Sequence, residues 1–233
     1  NPLRDPDGWN ALKTDPSKVT DRYTFFFHGP AGTGKTYFAK AVGGELKAPF
    51  YFVQGAKFIQ PLLGEGENML TSLYDEASSH DYAVVFIDEA EIICGKRGAY
   101  ENKHKTDLVN SLLTKLDGDE RYSNVVTFLS TNLPGAIDDA MVDRFPAHNR
   151  LFFGPLDKRS QADIARHFMG LYAHEGISDE EVGSLVDRLG AKGMRSLRDV
   201  AAGAALQAFD DGRKRFCYDD LMRVVDTYRG DVS

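Results

Sequence analysis

The sequence predicts an α/β fold, a parallel sheet with helices on both faces followed by a small all-helical domain, and three observations lead to it. Short apolar runs of strand length alternate with helix-forming stretches across residues 23–153. The alternation stops at Gly154-Pro155, and from Lys158 onward only helical periodicities remain.

The first strand is predicted at residues 23–27, an aromatic β-prone run, and a helix at 37–46 follows it after a glycine-rich stretch. A second strand is expected at 50–53. The third, 83–87, is continuously apolar, as suits a strand buried on both faces. A fourth strand is expected at 125–130, after a helix through residues 108–113, and a fifth at 150–153. Helices are expected at 161–172, 179–189, 196–209 and 218–228. Ser196 with Asp199 reads as a capping pair, which puts Arg195 just before its helix and Arg198 in the first turn. The expected division is an α/β domain over 1–154, opening on an irregular lead-in, and a helical domain over 155–233.

The chain has 233 residues, 42% of them apolar, enough for a substantial core. A net charge of −7 argues against a mainly electrostatic nucleic-acid binder. The apolar run 83–87 is far short of the roughly 20 residues of a membrane span, and no signal segment opens the chain. Because the first residue is Asn1, the chain is expected to begin inside a longer protein. Cys94 and Cys217 lack disulfide or zinc spacing and read as packing thiols in a reducing, cytoplasmic compartment. The histidines lack metal spacing; His167 and His174 share a helix face only if their helix runs that far, and His28 reads as structural. Trp9 reads as a packing residue, with contact to a nucleotide base as the alternative.

The string Gly29-Pro30-Ala31-Gly32-Thr33-Gly34-Lys35-Thr36 lies between the first strand and a helix, the context of a P-loop. Glycines let successive N–H groups turn toward phosphate oxygens at a helix N-terminus. Lys35 then reaches the β- and γ-phosphates of ATP, and the Thr36 hydroxyl faces Mg²⁺; the alternative is an ordinary glycine-rich turn. The third strand ends in Asp88-Glu89, a Walker B arrangement: Asp88 can hold Mg²⁺, while Glu89 can polarise a water for attack on the γ-phosphate. The fourth strand ends in Thr131-Asn132, where the amide of Asn132 can orient that water, or can serve the turn before Leu133-Pro134.

These motifs in this order, with a helical lid, resemble the AAA+ ATPases, and the resemblance covers nearly the whole chain. Ala90-Glu91, residues 108–113 and Asp117-Gly118 look like the AAA branch proper. The resemblance implies an ATP-hydrolysing enzyme, a homo-oligomeric, hexameric ring acting on a protein or peptide client, and Asn132 as sensor 1. It also implies an arginine finger from a neighbouring subunit. Arg144 occupies that segment and Arg150 is the fallback, but Val142 and Asp143 stand where members have a first arginine; pairing of Arg144 with Asp138 or Asp143 is the alternative. Gly193-Met194-Arg195-Ser196-Leu197-Arg198 resembles the sensor 2 motif of other AAA+ branches, with Arg195 as the phosphate-sensing residue, or an intralid ion pair with Asp199 or Asp187. Leu62, Leu63 and Gly64 fall where the family has its client-gripping pore loop, with Leu62 in the usual aromatic position. A second pore-facing loop would carry Lys96, Arg97, Lys103, His104 and Lys105, a basic cluster that reads equally as a solvated loop. Two other functions stay open: a nucleotide-dependent assembly switch or scaffold, and a nucleic-acid-loading ATPase, which the net acidity disfavours.

Overall fold

The structure is a computed structural model that describes residues 23–59, 65–96, 103–117, 120–190 and 193–230. These fall into two compact units. One holds the described residues through His28 together with Thr36–Phe152; the other holds Gly29–Lys35 together with those from Phe153 onward.

The first unit contains strands β1 (Thr24–His28), β2 (Phe50–Gln54), β3 (Ala83–Asp88), β4 (Val125–Thr131) and β5 (Arg150–Phe152) in the order β2-β3-β4-β1-β5, with every pairing parallel. All of β4, and β3 as far as Ile87, is buried, which explains their unbroken apolar runs. The first four strands each end one residue later than the sequence predicts, so that Asp88 and Thr131 are the last residues of paired strands. The connecting helices are α1 (Lys35–Leu46), α2 (Ala56–Ile59), α3 (Glu65–Ser78), α4 (Glu91–Cys94), α5 (Lys103–Leu116) and α6 (Asp139–Val142).

Val53, Val85, Ile87 and Leu129 share one core with Leu70 and Tyr74 of α3 and with Leu108, Leu112 and Leu116 of α5. The buried Tyr74 hydroxyl is satisfied by Thr127 Oγ1 at 3.0 Å, and burial pushes its pKa up. Another set of contacts is aromatic: Phe128 lies 5.1 Å from Phe25 and 4.8 Å from Phe27, Phe86 stacks on Phe52 at 5.9 Å, and Phe38 of α1 meets Phe27 edge-on. His28 packs against Phe26 and Phe152, in keeping with a structural role. Cys94 is buried, and burial pushes its thiol up to about 12, the behaviour of a packing residue.

The second unit contains α7 (Lys158–Met169), α8 (Asp179–Leu189), α9 (Met194–Asp210) and α10 (Tyr218–Gly230). Helix α7 starts three residues before its predicted position because Asp157 caps it, accepting from Ser160 N at 2.7 Å. It stops at Met169, so His174 lies beyond it and shares no helix face with His167. Ser178 and Glu181 form a capping box on α8. Helix α9 departs from expectation: it begins at Met194 with Gly193 as N-cap and no side-chain cap, which places Ser196 and Arg195 inside its first turn. Leu185, Val200, Ala204, Phe216, Leu221 and Val225 are among the core residues of the unit.

The α9–α10 connection is tied by Asp220, 1% exposed. Its carboxylate accepts Arg213 Nη1 at 2.8 Å and Nη2 at 2.7 Å, and the Cys217 backbone N–H at 2.8 Å. The Arg213 bonds hold this carboxyl well below the usual carboxylate range. The stabilisation is therefore complete above the unfolded pKa of about 3.9 and is lost as pH falls through the lower folded value. Asp220→Asn is expected to lower the thermal midpoint at pH 7, with the gap to wild type narrowing progressively as pH falls below about 4. Circular dichroism melts across that range check this, and an unchanged gap at low pH would refute it.

No helix among the described residues is long and apolar enough to cross a membrane.

Candidate active site

The glycine-rich loop belongs to the second unit. Gly29, Gly32 and Gly34 have φ of 141°, 78° and 100°, values that L side chains rarely adopt. Gly29 is also excluded from substitution by space, since a Cβ there would lie 2.1 Å from the Phe153 carbonyl oxygen. Thr33 Oγ1 donates to the Pro30 carbonyl at 2.9 Å, and Pro30 and Ala31 are exposed. Lys35, 6% exposed, donates from Nζ to the carbonyls of Gly29 at 2.7 Å and Pro30 at 2.8 Å. Both of these acceptors are backbone carbonyls of the glycine loop, so the Lys35 ammonium is held against the loop itself.

Within the sheet unit, the parallel registers Ile87↔Leu129 and His28↔Thr131 bring the carboxyl ends of β3, β4 and β1 to one sheet edge. Asp88, half-buried at the tip of β3, accepts the Glu89 N–H on Oδ1 at 3.0 Å. Glu89 has a φ of 54°, one of two described non-glycine residues with positive φ. Three contacts surround this turn. The Asp88 carbonyl takes Gly55 N at 2.7 Å, Ala90 N donates to the Ser130 carbonyl at 2.9 Å, and a Cβ on Gly55 would stand 2.6 Å from the Glu89 carbonyl oxygen. A left-handed glutamate costs of order 1–3 kcal/mol and persists only where its surroundings hold it. At the neighbouring tip, the buried Thr131 hydroxyl donates to Glu91 Oε2 at 2.6 Å and accepts Leu133 N at 3.0 Å. These bonds bracket Asn132, half-buried between them in sequence.

Arg144 follows α6, whose N-cap Asp138 accepts Ala140 N. Its Nη1 lies 2.8 Å from Asp117 Oδ2, so the alternative pairing with Asp138 or Asp143 is not the one formed. Asp143 instead faces Arg150 at 3.5 Å, and Arg150 Nε donates to the Phe145 carbonyl. In the lid, Arg198 pairs with Asp199 at 2.9 Å and Asp187 with Lys158 at 2.6 Å. Arg195 is exposed and makes no ion pair or hydrogen bond among the described residues. It directly follows Met194, whose N–H donates to the Gly32 carbonyl of the glycine loop at 2.8 Å.

Leu62, Leu63, Gly64, Arg97 and Trp9 lie outside the described residues. Lys96 stands 4.0 Å from Asp139, both exposed. Sequence reasoning missed the Glu91–Thr131 bond, the part of Gly55, and the Gly193-Met194 approach to the loop. The signals were a glycine directly after the second strand and a second acid two residues beyond Glu89; neither identifies its partner, which is distant in sequence.

Gly55→Ala is expected to displace the Glu89 turn and lower ATP turnover about tenfold or more while leaving nucleotide affinity within about twofold. Steady-state hydrolysis alongside calorimetric nucleotide binding separates the two effects.

A family model described as "ATPase family associated with various cellular activities (AAA)" matches residues 25–152. The chain is 30% identical over 233 residues to ATP-dependent zinc metalloprotease FtsH 2 of Petrotoga mobilis, covering 97% of this chain and 35% of that protein. It is 31% identical over 183 residues to the Cell division cycle protein 48 homolog of Archaeoglobus fulgidus, covering 78% and 24% respectively. To the Mitochondrial inner membrane i-AAA protease supercomplex subunit YME1 of Saccharomyces cerevisiae it is 35% identical over 141 residues, covering 60% and 19%. The chain thus spans no more than about a third of the length of these relatives.

Proposed function

We propose that this chain, which belongs to the AAA family of ATPases, is the Mg·ATP-hydrolysing motor of a hexameric ring that remodels, unfolds or disassembles a protein partner. The observation that carries the hydrolytic part is the left-handed Glu89, held at the tip of a buried strand beside the Asn132-bearing tip of β4. Strained residues of this kind cluster at active sites.

In the glycine-loop unit, the backbone N–H groups of residues 31–34 and the Lys35 ammonium bind the β- and γ-phosphates. Arg195, with no competing partner among the described residues, reads phosphate occupancy from the lid. In the sheet unit, Glu89 accepts a proton from the attacking water and Asn132 orients that water. Thr36 and Asp88 fit Mg²⁺: both are half-buried, Asp88 has one oxygen free of the Glu89 N–H bond, and this cation keeps most of its waters while taking one or two protein oxygens. When bound, Mg²⁺ neutralises phosphate charge. Arg144 acts on the neighbouring subunit's nucleotide, leaving its exposed pairing with Asp117 to do so. Leu62, Leu63 and Gly64 form the client-gripping loop. The relatives named as proteases support a protein client for this chain.

Lys35→Ala should abolish ATP binding, whereas Glu89→Gln should keep binding within a few-fold and lose turnover by about a hundredfold or more. Equal loss of binding in both, read by calorimetry, would refute this division of roles. Light scattering of the Glu89→Gln protein should show a nucleotide-dependent shift to a hexamer. Mixing Arg144→Ala with Lys35→Ala should then restore part of the hydrolysis, because one kind of interface regains an intact loop and an intact finger. A persistent monomer with bound ATP would refute a ring formed by this chain alone, and the trans role of Arg144 would fall.

A further inference from the structure

The first turn of α9 reaches the glycine loop through its backbone. Four contacts, all inside the unit that holds Gly29–Lys35 and the lid helices, define this approach. Met194 N donates to the Gly32 carbonyl at 2.8 Å. A Cβ on Gly193 would stand 2.6 Å from that same oxygen and 3.0 Å from its carbon. A Cβ on Gly32 would lie 3.8 Å from Gly193 Cα, and one on Gly34 would lie 2.9 Å from Met194 Cε. Gly193 has φ −81° and ψ 176°, a conformation open to any residue. Close approach, rather than backbone conformation, is what demands a glycine at 193.

We propose that Gly193 and Met194 are positioning residues for the phosphate-binding loop: the Met194 N–H clamps the Gly32 carbonyl and thereby sets the direction in which the Thr33 N–H points. The physical basis is the planar trans peptide between Gly32 and Thr33, which carries the carbonyl and the N–H on opposite edges. Holding the oxygen against α9 aims the Thr33 N–H away from the lid helix, where it serves as one of the loop's donors to phosphate. The first residue of a helix is suited to the task, because its N–H has no intrahelical acceptor and is available to a partner outside the helix. The clamp also gives the lid a direct hold on affinity: moving α9 off the loop releases a donor as well as the sensor arginine. This inference rests on the loop binding nucleotide, as proposed above.

Position 194 allows a clean test. Proline is tolerated at the first residue of a helix, and Gly193 is already extended, as a residue before proline must be. Met194→Pro therefore deletes the N–H while keeping the helix start, whereas Met194→Ala keeps the N–H and removes only the thioether. Calorimetry with ADP should show Kd rising about tenfold for Met194→Pro, the worth of one oriented hydrogen bond to the loop. The rise should be at least about fivefold larger than for Met194→Ala, and in hydrolysis KM should rise more than kcat falls. Gly193→Ala, which leaves every donor in place but forces α9 off the Gly32 carbonyl, should weaken ADP binding similarly; it carries the test if the proline variant melts the lid by circular dichroism. Wild-type affinity for ADP in both folded variants would overturn the clamp and leave the ATPase reading standing. Failure of the unmodified chain to bind ADP would overturn both.

Discussion

The parallel pairing of β4 with both β3 and β1 is the constraint on which the rest of the sheet unit depends. Parallel strands send their carboxyl ends to the same edge, so a single register decision delivers Asp88, Thr131 and His28 to that edge. Side chains alternate between faces, so a slip of one residue at β3 would turn its whole apolar set over. The slip is prevented by burial on both faces: Val85 and Ile87 belong to the core shared with α3 and α5, while Phe86 stacks with Phe50 and Phe52 of the neighbouring strand. The chemistry at the edge is held in place by apolar packing several residues away from it.

The backbone leaves its preferred conformations in the glycine loop and, within the sheet unit, at Glu89. At the glycine loop the positive φ values cost little, since residues 29, 32 and 34 lack a Cβ. At Glu89 the same excursion is costly, and the local contacts explain its persistence. Asp88 holds the next amide through Oδ1, β2 receives the Asp88 carbonyl through Gly55, and β4 receives the Ala90 amide. Gly55 leaves the space the Glu89 carbonyl occupies. The strain is thus borne by β3, β4 and the residue that follows β2.

Much of this was legible because the relevant signals are local. An unbroken apolar run ending in two acids marks β3, and the glycine loop announces itself by spacing. What escaped was non-local or ambiguous. Ser196 and Asp199 have the spacing of a capping pair, yet α9 starts at Met194, because the Gly193 and Met194 backbone groups already have partners: Ser196 N donates to the Gly193 carbonyl, and Met194 N reaches Gly32. Tertiary contact satisfied the helix end and made the local cap unnecessary. Asp157 was the reverse case, a real cap overlooked beside Gly154-Pro155. The Arg144 partner, Asp117, lies on a distant segment, where no short-range pattern could point to it.

The Arg144–Asp117 pair looks at first like an argument for a purely structural arginine, but the magnitudes point the other way. Both side chains remain substantially exposed, at 42% and 34%, and an ion pair in that setting contributes about 0–1 kcal/mol. An arginine that meets the developing charge of a phosphoryl-transfer transition state is worth factors of about a thousand or more in rate, several kcal/mol by comparison. Exchanging the first partner for the second is therefore downhill wherever a neighbouring nucleotide is in reach. Arg150 is less suited to that exchange, because its Nε is already committed to the Phe145 carbonyl and its side chain is more buried than that of Arg144. The contrast favours Arg144 as the residue that can change partners, and it casts Asp117 as a resting place for the guanidinium that keeps a long, entropy-rich side chain near its working position.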